Sequence, residues 1–174
     1  MIEKKLELRK YMFVPYNISD KQKGIQAGHS SDLYGQKFKD DDMNIDFIKN
    51  HLTWIILDGG TTNNNSERLG TLNQIYNDIL EYNSNNNDKI NVTTFYEPDL
   101  NDALTAVCFI ADERVFNYDD YIDFRFFIGG DNMAFTYDKL KEAFPDSYNI
   151  WVNEIMGGKK NAFLRELTKG KKLA

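Results

Sequence analysis

Apolar and polar positions alternate along this chain in two rhythms. Lys10-Tyr11-Met12-Phe13-Val14-Pro15-Tyr16 is a short aromatic and β-branched run ending at a turn, and it predicts a first strand. Ser19 with Gln22 three residues later has the spacing of a capping box, so a helix is expected from Asp20 to Lys37. Its apolar stripe is thin: Ile25, Ala27, Leu33 and Tyr34. Gly28 and Gly35 interrupt it, which suggests close packing against a neighbour. An acidic loop at Asp40–Asn44 and a short helix at Ile45–Leu52 follow. Thr53–Asp58 reads as a buried strand, broken by Gly59-Gly60. Leu69, Leu72, Tyr76, Ile79 and Leu80 recur at helical spacing and place an amphipathic helix over Ser66–Tyr82. Ile90–Tyr96 and Leu104–Ala111 are two further strands.

Strands alternating with helices imply an α/β fold, a mixed β-sheet with helices on both faces. At 174 residues one domain is the default. Beyond Glu113 the pattern weakens. Asp119–Ile128 is aromatic and acidic, Tyr137–Phe144 and Asn161–Thr168 look helical, and the segment from Gly157 onward is the best candidate for mobility.

Composition narrows the classes. A hydrophobic share of 41% suits a folded protein, and no apolar run approaches the roughly 20 residues of a membrane helix. The charged segment Met1–Lys10 carries no secretory signature, and Cys108 is the single cysteine, set among apolar residues as a buried, inert thiol. These features lead us to expect a cytoplasmic protein without a metal or other cofactor. The net charge of −6 opposes indiscriminate nucleic-acid binding, but it is unevenly spread. Residues 1–39 hold eight basic and four acidic residues, residues 156–174 six and one, and the acids concentrate between. The plain reading is solvated surface charge. The sharper one is a phosphate-binding face built from Lys23 and the tail residues Lys159, Lys160, Arg165, Lys169, Lys171 and Lys172.

Three constellations carry chemistry. Lys23, Gln26 and His29 are spaced by three and share a helix face, offering a cation, an amide and an imidazole. Alone, the trio reads first as structural: a histidine bonded to the next strand and a glutamine capping a loop. Glu97-Pro98-Asp99 lies between two strands, as a turn or as a carboxylate site. Gly59-Gly60-Thr61-Thr62 opens a helix, where exposed amides suit an anion, although the lysine of a P-loop is missing.

Together these pieces resemble the type 2 peptidyl-tRNA hydrolases. The likeness runs over about residues 9–113: a strand, a helix bearing Gln26-Ala27-Gly28-His29-Ser30, Trp54 on the next strand, an amphipathic helix, Glu97-Pro98-Asp99-Leu100 at a strand end, and Leu104-Thr105-Ala106 on the last strand. The family's lysine four residues before the glutamine is Gln22 here, flanked by Lys21 and Lys23. Its Asp-Ala-Gly segment is Glu97-Pro98-Asp99. Residues 114–174 form an extension without a counterpart, expected to pack on the same domain and end in the basic tail. The resemblance implies a metal-free homodimer that hydrolyses the ester between peptide and tRNA. His29 or Glu97 and Asp99 would position water, Gln26 and Thr105 would hydrogen-bond substrate or intermediate, and Lys23 would neutralise phosphate or oxyanion charge. The alternative is a scaffold of the same fold that binds a nucleotide, RNA or protein partner without turnover.

Overall fold

The computed structural model describes residues 5–174; Met1–Lys4 of the charged N-terminus lie outside it. The chain divides into two compact units, one ending at Asp112 and rejoined by Gly170–Ala174, the other Glu113–Lys169. The first unit is α/β. Its elements are β1 (Leu8–Pro15), α1 (Asp20–Lys37), α2 (Asp42–Asn50), β2 (Thr53–Gly60), α3 (Thr71–Asn85), β3 (Val92–Glu97) and β4 (Ala103–Asp112).

The four strands form a mixed sheet in the order β2-β1-β4-β3. β1 runs parallel to β2 and antiparallel to β4, and β3 is antiparallel to β4. β1 is interior, as its unbroken apolar run predicts, because a strand covered on both faces has no solvent side to make polar. Alternate residues feed two layers. Met12, Val14, Ala106, Cys108 and Ile110 pack with Ala27 and Tyr34 of α1 and Phe47 of α2. On the opposite face the Tyr11 and Phe109 rings stack at 5.3 Å, and α3 brings Leu72 close to Gly59 and Phe13. Helices therefore lie on both faces. Cys108 is buried, and burial pushes its thiol up to about 12.

Several local expectations change. α1 has the predicted limits, with both reciprocal bonds of the Ser19/Gln22 capping box formed. Its buried face, however, is Gln26, Ala27, Ser30, Ser31 and Tyr34, while Ile25 and Leu33 are exposed. Gly28 and Gly35 meet nothing within 4 Å, so the expected close packing is absent. Asp41, in the acidic stretch, caps α2, which begins at Asp42, inside the segment read as a loop. β2 is an edge strand and only partly buried, with Trp54 exposed. α3 starts five residues later than the periodicity suggests. Asn73 is buried and accepts from the Asn63 amide at 2.9 Å while donating to Asn64 Oδ1 at 2.7 Å, which folds the preceding loop back on the helix.

The segment expected to be mobile is ordered. In the second unit α4 (Phe124–Phe127), α5 (Tyr137–Ala143), α6 (Pro145–Ile150), a π turn (Trp151–Ile155) and α7 (Lys159–Thr168) surround Phe124, Leu140, Trp151, Val152, Met156 and Ala162. Residues 172–174 return to the first unit and flank β2, where Asp58 N donates to Lys172 O and Ala174 N to Ile56 O, each at 2.9 Å. Among the described residues no helix is long and apolar enough to cross a membrane.

Two glycines should respond oppositely to alanine. Gly35→Ala removes backbone freedom in a helix with open space around it and should stabilise the protein by about 0.5–1 kcal/mol in urea unfolding. Gly59→Ala should destabilise it, since a Cβ there would stand 2.7 Å from Leu72 Cδ1 and 3.1 Å from the Val14 carbonyl oxygen. A third test concerns Lys10, buried with its ammonium on Ser31 Oγ at 3.1 Å and over the Tyr34 and Phe47 rings. Burial depresses its affinity for the proton below the ordinary 10.5. The unfolded chain therefore binds that proton more readily, and wild-type stability rises with pH as 10.5 is approached. Lys10→Met should be more stable than wild type at pH 7, with a gap that narrows as the pH rises toward 10.5; a gap independent of pH would contradict this account.

Candidate functional site

The strand directions gather one rim of the sheet. β1, β2 and β3 run the same way, so Pro15, Gly60 and Glu97 end on the side where β4 begins at Ala103. α1 starts from this rim at Asp20 and descends antiparallel to β3. Three consecutive β3 residues of one face meet it in order: Glu97 meets Gln26, Phe95 meets His29, and Thr93 Oγ1 donates to Ser30 O at 3.1 Å. Lys37 closes the seam, donating to Val92 O at 3.3 Å. The polar face of α1 is thus its inward face, matched by polar partners on the edge strand.

At the top of the seam lies a chain of three side chains. Thr105 Oγ1 donates to Gln26 Oε1 at 2.6 Å, and Gln26 Nε2 donates to Glu97 Oε2 at 2.7 Å. The amide orientation follows from the partners, because an ionised carboxylate only accepts and so must face the NH2 end. The β3–β4 register shifts where Phe95 faces Ala106 and Tyr96 faces Leu104, leaving Thr105 as the extra residue of a bulge. A bulge turns its extra side chain off the regular alternation, which here aims Thr105 at α1. Thr105 is fully buried and Gln26 nearly so. Together they hold Glu97 in place, with Gln26 also forming part of the wall of the cleft beside it.

His29 is exposed and stacks on Phe95, with centroids 4.5 Å apart and planes 25° from parallel. Its ring is positioned by packing, one helical turn from Gln26. Asp99 is exposed on the 3-10 turn Pro98–Leu100 that follows Glu97. Asn101 and Asp102, both with positive φ near 55°, complete the connection to β4. Side chains that can hydrogen-bond their own backbone tolerate that left-handed geometry best. Lys23 is half-buried and ion-paired with Asp20 at 3.4 Å. Gln22, at the position where the resembled family has its lysine, is committed to the helix cap, its Oε1 accepting from Ser19 N at 3.1 Å. Beside Gln26 and Glu97 opens a cleft of about 210 Å³ lined by Ile18, Gln22, Ile25, Gln26, Glu97, Asp99 and Leu100.

Other expected site residues take different roles. Arg165 is fully buried in the second unit, where its guanidinium donates to the carbonyls of Arg114 and Tyr121 and lies 4.0 Å from the Tyr118 ring centroid. It is a structural cation, inaccessible to phosphate. Lys169 donates to the Asp123 carboxylate at 3.1 Å. Lys159 is exposed and Lys160 half-buried in the first turn of α7. Lys171 and Lys172 lie beside β2, at the end of the sheet opposite β3, so they do not join Lys23 next to the Gln26 cleft. The Gly59-Gly60 segment offers no anion site either. The first amides of α3 are used internally, Leu72 N on Thr61 O at 2.9 Å and Thr71 N on Thr61 Oγ1 at 3.2 Å. Of the apolar cleft residues, Ile18 escaped the sequence reading, while Ile25 was read as part of the helix's apolar stripe and Leu100 as the end of the Glu97–Leu100 motif, neither as a site residue.

A positioned carboxylate, an exposed imidazole and a small cleft suit the handling of one water and one acyl-sized group. Among the described residues no group of three His, Cys, Asp or Glu side chains could hold a metal ion. No family model matches the chain, and no curated protein does.

The side-chain relay has a mutational signature. Gln26→Leu leaves the Thr105 hydroxyl only its longer bond to Phe95 O at 3.4 Å and releases Glu97, and should cost about 1–3 kcal/mol of stability. Thr105→Val, which removes a single donor, should cost less. The double variant should fall short of the sum of the two, because both remove the same bond. Urea unfolding of the four proteins measures this, and strict additivity would show that the relay is not a coupled unit.

Proposed function

We propose that this protein hydrolyses the ester joining a peptide to the ribose of tRNA, as the resemblance to the type 2 peptidyl-tRNA hydrolases implies. The observation that carries the reading is the Thr105–Gln26–Glu97 relay, which spends two buried polar side chains on fixing one carboxylate at a cleft. Such an arrangement contributes to catalysis by orienting a group before the substrate arrives. Phe95 and Glu97 are two residues apart on one strand face, and His29 and Gln26 meet them from α1, so the imidazole and the carboxylate belong to the same stretch of the seam.

In this reading Glu97 accepts a hydrogen bond from a water and orients it toward the ester carbonyl. As the oxygen bonds to the carbonyl carbon, the proton passes to His29. Collapse of the tetrahedral intermediate breaks the bond to the ribose oxygen, and His29 returns the proton to that oxygen. Lys23, at the same end of α1, neutralises phosphate charge once it leaves Asp20. Lys159 and Lys160 pair with further phosphates. The resemblance also implies that the protein works as a homodimer, which a monomeric mass at micromolar concentration would rule out.

Purified protein should release tRNA from peptidyl-tRNA. Glu97→Gln and His29→Ala should each lower kcat by about 10²–10⁴-fold while leaving tRNA affinity within a few-fold of wild type. Lys159→Ala with Lys160→Ala should do the reverse, weakening binding and flattening the salt dependence by about 0.9 in slope for each duplex phosphate that is no longer neutralised. If both Glu97→Gln and His29→Ala keep full activity, or wild type shows none, the reading gives way to a non-catalytic scaffold of the same fold that binds a nucleotide, RNA or protein partner.

A further inference from the structure

β3 is an outer strand of the sheet, and among the described residues no strand pairs with its far side. Alternate residues of Val92–Glu97 therefore turn N–H and C=O groups away from β4 with no strand to meet them. A cleft of about 210 Å³ follows the first half of this edge. Val92, Thr93 and Thr94 line it from the strand, Leu33 and Lys37 from α1, and Tyr76 from α3. Leu33 is exposed and Tyr76 half-buried, so the cleft opens to solvent between the two helices. Its lining contains no carboxylate, and its one charge, the Lys37 ammonium, rests on Val92 O at 3.3 Å. From this cleft β3 runs on to Glu97, the carboxylate fixed by Gln26. The opposite edge of the sheet shows what such an edge takes. There β2 is met by an extended segment, residues 172–174, through main-chain bonds from Asp58 N to Lys172 O and from Ala174 N to Ile56 O.

We propose that the outer edge of β3 binds the peptide part of the substrate as an added strand, parallel to β3, with its C-terminal ester at Glu97. This rests on the hydrolase reading above and deepens it by assigning a site to the peptide. Connectivity sets the direction. The ester is at the C-terminal end of the peptide and Glu97 is the C-terminal residue of β3, so a parallel peptide brings its ester to the carboxylate and an antiparallel one carries it away. The same argument sets the register. Thr94 lies three residues before Glu97 and Val92 five, so the cleft grips the peptide residues about three to five positions before the ester. Strand addition reads N–H and C=O groups that every residue except proline carries, so the grip is indifferent to side-chain sequence. A hydrolase acting on many different peptides requires that indifference, and a cleft lining without an acid to select a cationic side chain is consistent with it. A second copy of the chain would use the same bonds, but only a substrate peptide gives the edge a reason to end at the fixed carboxylate.

Binding and cleavage are measured separately on the full protein. In backbone amide NMR, an acetylated and amidated hexapeptide of alanine and serine should shift resonances of Leu33, Tyr76 and Val92–Glu97. Its fully N-methylated counterpart has no backbone N–H to donate and should bind at least about tenfold more weakly. Leu33→Trp, at an exposed helix position, should fill the cleft and weaken the hexapeptide by about tenfold. In cleavage assays KM for a hexapeptidyl-tRNA should lie about tenfold below that for N-acetyl-alanyl-tRNA, whose single residue does not reach Thr94. Leu33→Trp should raise the first KM and leave the second unchanged. Equal binding of the two hexapeptides, or no binding of either, overturns the proposal. So do β3 resonances that move on dilution of the protein alone and not on adding peptide, which would give the edge to a second copy. Cleavage of both tRNAs with equal KM overturns the strand-addition site and leaves the hydrolase reading standing. Selective binding of the unmethylated hexapeptide at β3 without cleavage of either tRNA keeps the site and removes the hydrolase.

Discussion

The seam between α1 and β3 is the constraint on which the first unit's working surface depends. It is held by polar contacts along its length, Gln26 to Glu97, Ser30 to Thr93 and Lys37 to Val92, with the His29–Phe95 stack between them and Thr105 of β4 bonded to Gln26. Each such bond contributes only about 1 kcal/mol net, yet leaving any buried partner unsatisfied costs more than making the bond gains. The seam therefore specifies one axial and rotational setting of α1 against the sheet. An apolar seam of the same area would hold the helix as strongly but with less discrimination between settings. The orientation of Glu97 and the stacking of His29 on Phe95 both inherit that setting.

This polar seam also explains which parts of the fold were legible in the sequence. The limits of α1 are local, written in Ser19 and Gln22, and they could be read directly. So could β1 and β4, whose apolar runs need no knowledge of their neighbours. The inward face of α1 could not be assigned from periodicity, because Gln26, Ser30 and Ser31 look like a solvent face until their partners on β1, β3 and β4 are known. The glycines misled for a related reason. Gly28 and Gly35 suggested tight packing, but they lie where nothing approaches, and the demand for a missing side chain falls on Gly59 instead. The start of α3 was hidden by Asn73, a polar residue that organises a loop nine or ten residues away.

The candidate site divides along the same line. Gln26, Glu97 and Thr105 were picked out, and the structure brings them into one relay, but their roles depend on burial that no spacing reveals. The basic tail shows the converse. Composition treats its cations as equivalent, whereas folding sorts them: Arg165 binds backbone carbonyls, Lys169 binds Asp123, and Lys172 lies beside β2. Net charge by segment overestimates the positive surface wherever an arginine is needed to satisfy carbonyls inside.

The return of residues 172–174 to β2 has a consequence for self-association. A sheet with two open edges can recruit neighbours at both and grow without limit. Here one outer strand already has Leu173 bridged to Leu57, while β3, at the other end, has no strand partner on its outer side among the described residues. The short contribution of the tail thus occupies backbone groups of Ile56 and Asp58 in the middle of one outer strand, while the other outer strand keeps its free edge among the described residues.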